Sequence, residues 1–394
     1  MPIYVVGTFD TKGLELRYIR DLIERAGAST LLIDVGTLGD SEEVDVNSQI
    51  VAKHHPNEEA VVFSDDRGEA VTQMSIALKH FIGSRTDIEG IISAGGSGGT
   101  ALVTPAMRTL PVGTPKVMIS TVASGNVEPY VGSNDICMIY SITDIQGLNR
   151  ISRKVLGNAA HAIAGMVKSS FPEVESKPAI GLSMFGVTTP CIQAVVKELE
   201  SDFDCLVFHA TGTGGQSMEK LVESGLVKGL IDATTTEVCD LLMGGIFSAG
   251  EDRLDSIIRT KLPYVGSCGA LDMVNFGARE TVPEKYKERQ FHVHNANVTL
   301  MRTSVEENKH IGEWLADKLN LMQGEVRFLL PLRGVSSLGS EEHAFHNPEA
   351  DAALFDALEK NIIQTNRRKL IKLNHNINDP EFSTELVKQF KTII

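Results

Sequence analysis

Short apolar runs alternate with amphipathic periods along this chain, and the alternation runs through it twice. Ile3–Val6 is a continuous apolar run, Leu14, Tyr18, Leu22 and Ile23 follow at helical spacing over Leu14–Arg25, and Thr30–Val35 is a second apolar run. Strand, amphipathic helix, strand predicts a βαβ unit. The polar stretch from Gly36 to Glu59 predicts a long loop, and Arg67-Gly68-Glu69 opens a helix that runs to about Phe81. Strand Gly90–Ala94, a glycine-rich turn, a helix over Ala101–Arg108 and strand Lys116–Ser120 continue the series, and residues 144–167 are again helical in pattern. Right-handed crossovers make such a sheet parallel.

The scheme restarts after Ser169–Pro178, the most linker-like segment, which holds two prolines and mixed charge. Strands are expected at Ala179–Met184, Asp204–Phe208, Val227–Asp232, Tyr264–Ser267 and Val326–Leu330, with helices at Cys191–Leu199, Ser217–Ser224 and Glu306–Leu319. The last stretch, with a helix over Ala350–Ile363, a strand near Leu370–Leu373 and a helix after Asp379-Pro380, either finishes this lobe or crosses back to the first. The pattern predicts an α/β protein with two Rossmann-like, doubly wound lobes, residues 1–175 and 176–394, mostly parallel sheets and an interlobe cleft.

A length of 394 residues suits two α/β domains better than one core. No apolar run approaches a membrane span, and Met1–Val6 already reads as a strand, so neither a membrane segment nor a secretory signal is expected. Five scattered cysteines without a CxxC pair argue against a zinc knuckle and fit reduced thiols in a cytoplasmic protein. A net charge of −14 argues against a nucleic-acid partner, which requires clustered Lys and Arg.

Three turns in the first lobe sit at the carboxyl ends of predicted strands, where open α/β sheets place ligands. They are Gly7–Lys12, the glycine turn at 95–100 and Ser120–Asn126. They supply backbone donors, the hydroxyls of Thr8, Thr11, Thr100, Ser120 and Thr121, the Asp10 carboxylate and the Lys12 ammonium. That is the inventory of a polyphosphate site, with Asp10 available for a metal or an orienting bond. The competing reading is that the glycines only permit tight turns and the threonines only cap helices. No lysine follows Gly99, so the turn is not a Walker A loop, and GxGxxA at 96–101 lies outside the first βαβ unit. Asp34, ending the strand beside the first, suits either a ribose hydroxyl or a cap.

The second lobe offers Gly186, Thr188 and Thr189 after its first strand, Gly212, Thr213, Gly214 and Gly215 after its second, and Thr235 after its third. Each strand-to-helix turn presents free N–H groups, which predicts a second small-anion site for a carboxylate or sugar acid. His209 precedes the second turn, and Cys191 stands at a helix N-terminus, where a thiolate is favoured, although most such cysteines are merely packed. His292-Val293-His294 puts two imidazoles on one strand face, suited to a metal with Asp272 or to a plain hydrogen-bonded pair, and no third ligand is fixed by spacing. No resident metal is assigned.

The ordered blocks GTFDTK, SAGGSGGTAL, KVMISTVASGN, IGLSMFGVTTPCIQAV, LVFHATGTGG, DATTTEV, GALDMVNFG and HNANVTLMRT resemble the Tm-1-like ATP-binding family. That family comprises the amino-terminal domain of a plant protein that blocks tomato mosaic virus replication, together with stand-alone bacterial relatives. The resemblance implies ATP in the first lobe and a homodimer. It carries nucleotide contacts onto Thr8, Asp10, Thr11, Gly96, Ser97, Gly98, Gly99, Thr100, Ser120, Thr121 and Gly125. The plant protein's barrel-like domain has no counterpart here, so a free-standing barrel-like partner is an expectation. Two functions follow. One is ATP with Mg2+ used for transfer to a small acid, with Lys12, Asp10, His209 and Cys191 as the catalytic candidates. The other is a non-catalytic ATP-sensing module that docks a partner protein.

Overall fold

The computed structural model describes residues 1–38, 43–169 and 177–394. They form two units, Met1–Glu173 and Val174–Ile394. Most of the proline-containing linker, residues 170–176, and residues 39–42 of the first long loop lie outside the described residues.

In the first unit the chain runs β1 (Ile3–Gly7), α1 (Phe9–Arg25), β2 (Thr30–Asp34), α2 (Ser48–Ala52), α3 (Arg67–Gly83), β3 (Gly90–Gly95), α4 (Ser97–Met107), β4 (Lys116–Ser120), α5 (Glu128–Val131), β5 (Cys137–Tyr140) and α6 (Arg150–Lys168). The strand order is β2-β1-β3-β4-β5, and every pairing is parallel. β1 is buried along its whole length, as its unbroken apolar sequence requires of a strand covered on both faces. Its alternate side chains serve opposite layers. Ile3 and Val5 join Leu16, Ile19 and Ile163 of α1 and α6, whereas Tyr4 and Val6 join Met74 and Leu102 of α3 and α4. The buried face of α1 is Phe9, Leu16, Ile19 and Ile23, with Tyr18 and Leu22 packed partly buried against it, while Leu14, expected on the same face, is 59% exposed. α4 begins at Ser97 and not at Ala101, because the glycine turn is itself the first turn of the helix. α6 starts only at Arg150, after a loop at 141–149.

The second unit runs β6 (Ala179–Met184), α7 (Thr189–Leu199), β7 (Asp204–His209), α8 (Thr213–Glu223), β8 (Leu230–Thr234), α9 (Glu237–Met243), α10 (Asp255–Thr260) and β9 (Tyr264–Gly269). An insertion of β10 (Met273–Phe276), β11 (Phe291–Asn295) and β12 (Val298–Arg302) forms a small antiparallel sheet, and α11 (Val305–Leu321), β13 (Val326–Pro331), α12 (Pro348–Asn361), β14 (Arg368–Leu373) and α13 (Pro380–Lys391) complete the unit. The main sheet is β14-β13-β9-β8-β6-β7, parallel throughout. The carboxyl-terminal segment finishes this sheet. β14 pairs with β13, and Phe382, Leu386 and Phe390 of α13 pack with Ile192 and Val195 of α7. Among the described residues no helix is long and apolar enough to cross a membrane.

Numbered within its own unit, each sheet starts with the order 2-1-3-4-5, so its topological switch point lies between its first and third strands. The two glycine-rich turns are therefore not counterparts. The first follows β3, at the switch point, and the second follows β7, an edge strand. The counterpart of the first is the threonine turn after β8.

Candidate functional site

At the switch point of the first unit, between the ends of β1 and β3, a cleft of ≈ 240 Å³ is lined by Thr8, Asp10, Thr11, Lys12, Arg67, Gly95, Gly96, Ser97, Gly98, Gly99 and Asp144, with Val35, Val71 and Leu102 among its apolar contacts. α1 and α4 both start here, and Arg67 is the first residue of α3, so three helices of 11 or more residues turn their positive ends to this region. Among the described residues, the N–H groups of Ser97, Gly98 and Gly99 meet no acceptor, and neither Lys12 nor Arg67 has a carboxylate within ion-pair distance. Thr8 Oγ1 lies 2.8 Å from Thr11 Oγ1, and the Thr11 and Lys12 amides donate to the Thr8 carbonyl at 3.1 and 2.7 Å. Asp10 accepts from the Leu38 amide at 3.3 Å, and a Cβ on Gly36 would stand 2.8 Å from its carboxyl carbon, so that glycine makes room for it.

Gly98 and Gly99 have no positive φ, and a Cβ built on either meets nothing within 4 Å. Glycine in a helix costs about 1 kcal/mol relative to alanine. No atom of the fold requires that cost at these positions. What the missing side chains leave free is the approach to three helix N–H groups from the cleft.

Seven of the eleven residues assigned by resemblance line this cleft: Thr8, Asp10, Thr11, Gly96, Ser97, Gly98 and Gly99. Thr100 and Ser120 lie beneath it instead. Both are fully buried, their hydroxyls are 2.6 Å apart, and Thr100 also donates to the Gly96 carbonyl at 2.8 Å, which braces the turn from below. Thr121 and Gly125, at the end of β4, are not among the lining residues. Asp34 takes the capping role of its two readings. It is completely buried, and its Oδ1 accepts from the Phe9 and Gly36 amides at 3.0 and 2.8 Å. Arg67 and Asp144, which line the cleft, carry no sequence motif. The only local hint is the Asp66 cap that starts α3, accepting from Glu69 N at 3.0 Å.

In the second unit the glycine turn already holds an anion belonging to the protein. The Gly212 and Gly215 amides donate to Glu237 Oε1 at 2.8 and 3.0 Å. Glu237 is in turn paired at 2.9 Å with Arg253, whose guanidinium also holds both oxygens of Asp232 (2.9 and 2.8 Å) and one of Glu219 (3.1 Å), all of them buried. Burial holds the Glu237 carboxyl above its usual range, and Arg253 offsets only part of that rise. The glycines are required by the fold itself. A Cβ would stand 1.7 Å from the His209 carbonyl at Gly214, 2.2 Å from Glu237 Oε2 at Gly215, and 2.7 Å from the Ser248 carbonyl at Gly212, where φ is +82°. Thr188 Oγ1 bonds Thr234 Oγ1 at 2.8 Å, Thr235 donates to the Ser267 carbonyl at 3.0 Å, and Thr189 donates to the Phe185 carbonyl at 3.2 Å. Thr213 and Gly186 are exposed. Of the residues expected to hold a small anion, Gly212 and Gly215 thus have their amides capped from within the protein, and Phe185, Met273, Leu300 and Phe345 add an apolar cluster in the same unit.

Cys191 is fully buried, and burial pushes its thiol up to about 12, which overrides its place at a helix N-terminus and keeps it protonated at neutral pH. The His209 ring packs 5.3 Å from that of Phe185, and desolvation holds its pKa below the usual value. Asp272 is buried with Oδ2 accepting from Ser336 at 2.6 Å, and among the described residues no group of three or more His, Cys, Asp or Glu is arranged to hold a metal ion.

Residues 1–172 match the N-terminal domain, and residues 177–394 the C-terminal domain, of the Uncharacterised protein family (UPF0261). The chain is 55% identical over 392 residues to a UPF0261 protein of Rhizobium meliloti (strain 1021), covering 99% of this chain and 98% of that protein. It is 45% identical over 395 residues to a UPF0261 protein of Clostridium tetani (strain Massachusetts / E88), covering 98% and 97% respectively. It is also 40% identical over 420 residues to the ToMV resistance protein Tm-1(GCR237) of Solanum lycopersicum, covering 99% of this chain but 55% of the tomato protein. With both domains matched and relatives aligned over nearly its full length, this chain belongs to the UPF0261 family, as a homologue of tomato Tm-1.

Proposed function

We propose that the first unit binds ATP with Mg2+, its phosphates seated in the cleft between β1 and β3, and that the protein acts in small-molecule metabolism. The observation that carries this reading is the pair Gly98 and Gly99, whose lack of side chains serves nothing inside the fold and opens the α4 amides to an anion. Lys12 and Arg67 support a polyanion over a single carboxylate, and Asp10 and Asp144 supply the hard oxygens that a phosphate-bound Mg2+ takes along with water. A cleft of ≈ 240 Å³ is below the roughly 300–1,000 Å³ that encloses a drug-sized ligand, which suits the phosphate end with the nucleoside against the apolar rim.

Calorimetry with ATP, ADP and AMP, each with and without Mg2+, tests the reading. Affinity should rise with phosphate number and with the metal. Equal affinity for AMP and ATP would refute a phosphate-centred site. A second reading is a non-catalytic nucleotide-sensing module that docks a partner protein, and one feature favours it: among the described residues that line the cleft there is no histidine, the side chain most used as a general base. Assaying ADP, AMP and diphosphate release in the presence of small acids separates the two.

A further inference from the structure

A larger cavity, ≈ 530 Å³, lies in the second unit beside the carboxyl ends of the parallel pair β13 and β14. Its volume falls in the range of about 300–1,000 Å³ that encloses a small molecule, and it occupies the end of the sheet where α/β proteins place ligands. None of the second-unit turns discussed above lines it.

Its polar wall can be sorted by which groups are already engaged. His346 Nδ1 lies 3.1 Å from the Gly339 carbonyl, which only accepts, so Nδ1 carries a proton and, in the tautomer this bond selects, Nε2 is an acceptor. Ser340 donates its hydroxyl proton to the Ser337 carbonyl at 2.8 Å, which leaves its lone pairs. The Asn376 amide spends its donors on the Arg333 and Ser336 carbonyls at 3.2 and 3.3 Å. Asp351 accepts from Arg302 with one oxygen at 2.6 Å, and Asp379 accepts from the Asn376 backbone N–H with one at 2.8 Å, so each keeps acceptor capacity. Among the described lining side chains, Arg333 is the one whose donors meet no acceptor within hydrogen-bond length. It is 57% exposed and faces the more exposed Glu341 at 3.7 Å, beyond hydrogen-bond length.

A wall of acceptors with one guanidinium selects its ligand by elimination. A carboxylate or phosphate meets Glu341, Asp351 and Asp379, and behind the Gly339 backbone stands fully buried Asp272, whose Oδ1 has no hydrogen-bond partner. An ammonium finds the carboxylates but has no lone pair for Arg333, and leaves its donors unused. A hydroxyl both donates and accepts, so a chain or ring of them satisfies the carboxylates, His346 Nε2 and Arg333 together. Phe355 and Leu332 offer apolar surface to its C–H face. We propose that this cavity is a binding site for a neutral polyhydroxylated small molecule of the sugar or sugar-alcohol class. This site is independent of the nucleotide reading and of the first unit.

The test is saturation-transfer NMR and calorimetry on the full chain with D-xylose, D-mannitol and ribitol, set against D-gluconate and putrescine. Two variants accompany the wild type: Arg333→Ala, which removes the donor, and Ala352→Trp, which puts an indole into the cavity from an exposed helical position. At least one polyol should bind the wild type in preference to gluconate and putrescine. Its affinity should fall about tenfold to a hundredfold in Arg333→Ala and be lost in Ala352→Trp, with unchanged thermal unfolding in both. The proposal is overturned if no polyol binds the wild type, if gluconate or putrescine binds in preference, or if polyol binding survives unchanged in both folded variants.

Discussion

Substituting Gly98 should move stability and nucleotide affinity in opposite directions. A Cβ at this position meets nothing within 4 Å, and its φ is not in the left-handed region, so Gly98→Ala introduces neither clash nor strain. Removing a helix glycine should then stabilise the first unit by up to about 1 kcal/mol, or roughly 2–4 °C for a unit of this size. The same methyl, and more so the branched side chain of Gly98→Val, stands where phosphate oxygens would approach the Ser97, Gly98 and Gly99 amides. A hydrogen bond to a charged group contributes about 1.5–3 kcal/mol, so losing two costs about 3–6 kcal/mol, a drop in ATP affinity of at least a hundredfold. Differential scanning fluorimetry of the apo protein and calorimetry with Mg-ATP read the two effects separately. Wild-type affinity in folded Gly98→Val would refute the argument, and so would a large destabilisation by Gly98→Ala, which would mean that the glycine is structural after all. The second unit supplies the contrast: Gly215→Ala places a methyl 2.2 Å from Glu237 Oε2 and should destabilise the protein without a gain of any kind.

Lys12→Ala and Arg67→Ala should each weaken ATP about tenfold with little change in unfolding temperature, and the loss should shrink as salt is added, as calorimetry at two ionic strengths will show. Glu237→Ala leaves two buried amides without an acceptor, at about 1–3 kcal/mol each, so urea unfolding should show a loss of roughly 2–6 kcal/mol. Glu237→Gln keeps an acceptor and should recover part of that loss, whereas equal losses in the two variants would contradict the capping role. Burial pushes the Asp240 carboxyl up to about 7, although the Asn275 and Phe247 amides donate to it. Its pKa is thus higher folded than unfolded, the native state holds the extra proton, and its contribution to stability falls as pH rises from about 4 to about 7. Denaturation midpoints measured across that window should decline less in Asp240→Asn than in the wild type, and parallel declines would refute the assignment.

The alternation of strands and helices was legible because strands buried on both faces must be apolar throughout, as at Ile3–Gly7. The turns at 7–12 and 95–100 were legible as neighbours because strand ends in a parallel sheet collect on one edge. What a linear reading cannot supply is strand order. Without it the turns at 95–100 and 211–215 look equivalent, although one follows the strand at a switch point and the other an edge strand. The same gap hid the bond between Gly212 and Glu237, which are 25 positions apart and face each other only because their strands share a sheet. Arg67 and Asp144 were unreadable for a related reason: a single charged residue at the mouth of a helix or loop has no periodicity, and only the packing of α3 and the entry to α6 brings it to the cleft. Cys191 shows the opposite error. Its local position was read correctly, but its burial is set by Ser383 and the rest of α13, almost two hundred residues downstream.

Each sheet draws all of its strands from one uninterrupted stretch of chain, β1–β5 from residues 3–140 and the other from residues 179–373. During synthesis the first sheet and its covering helices are therefore complete before the second has begun to emerge from the ribosome. Nothing in the first core waits for a strand supplied later. A nascent chain arrested once α6, ending at Lys168, has cleared the ribosome should already resist protease across the first unit, and in that state it presents the entire switch-point cleft to a ligand in the surrounding solution.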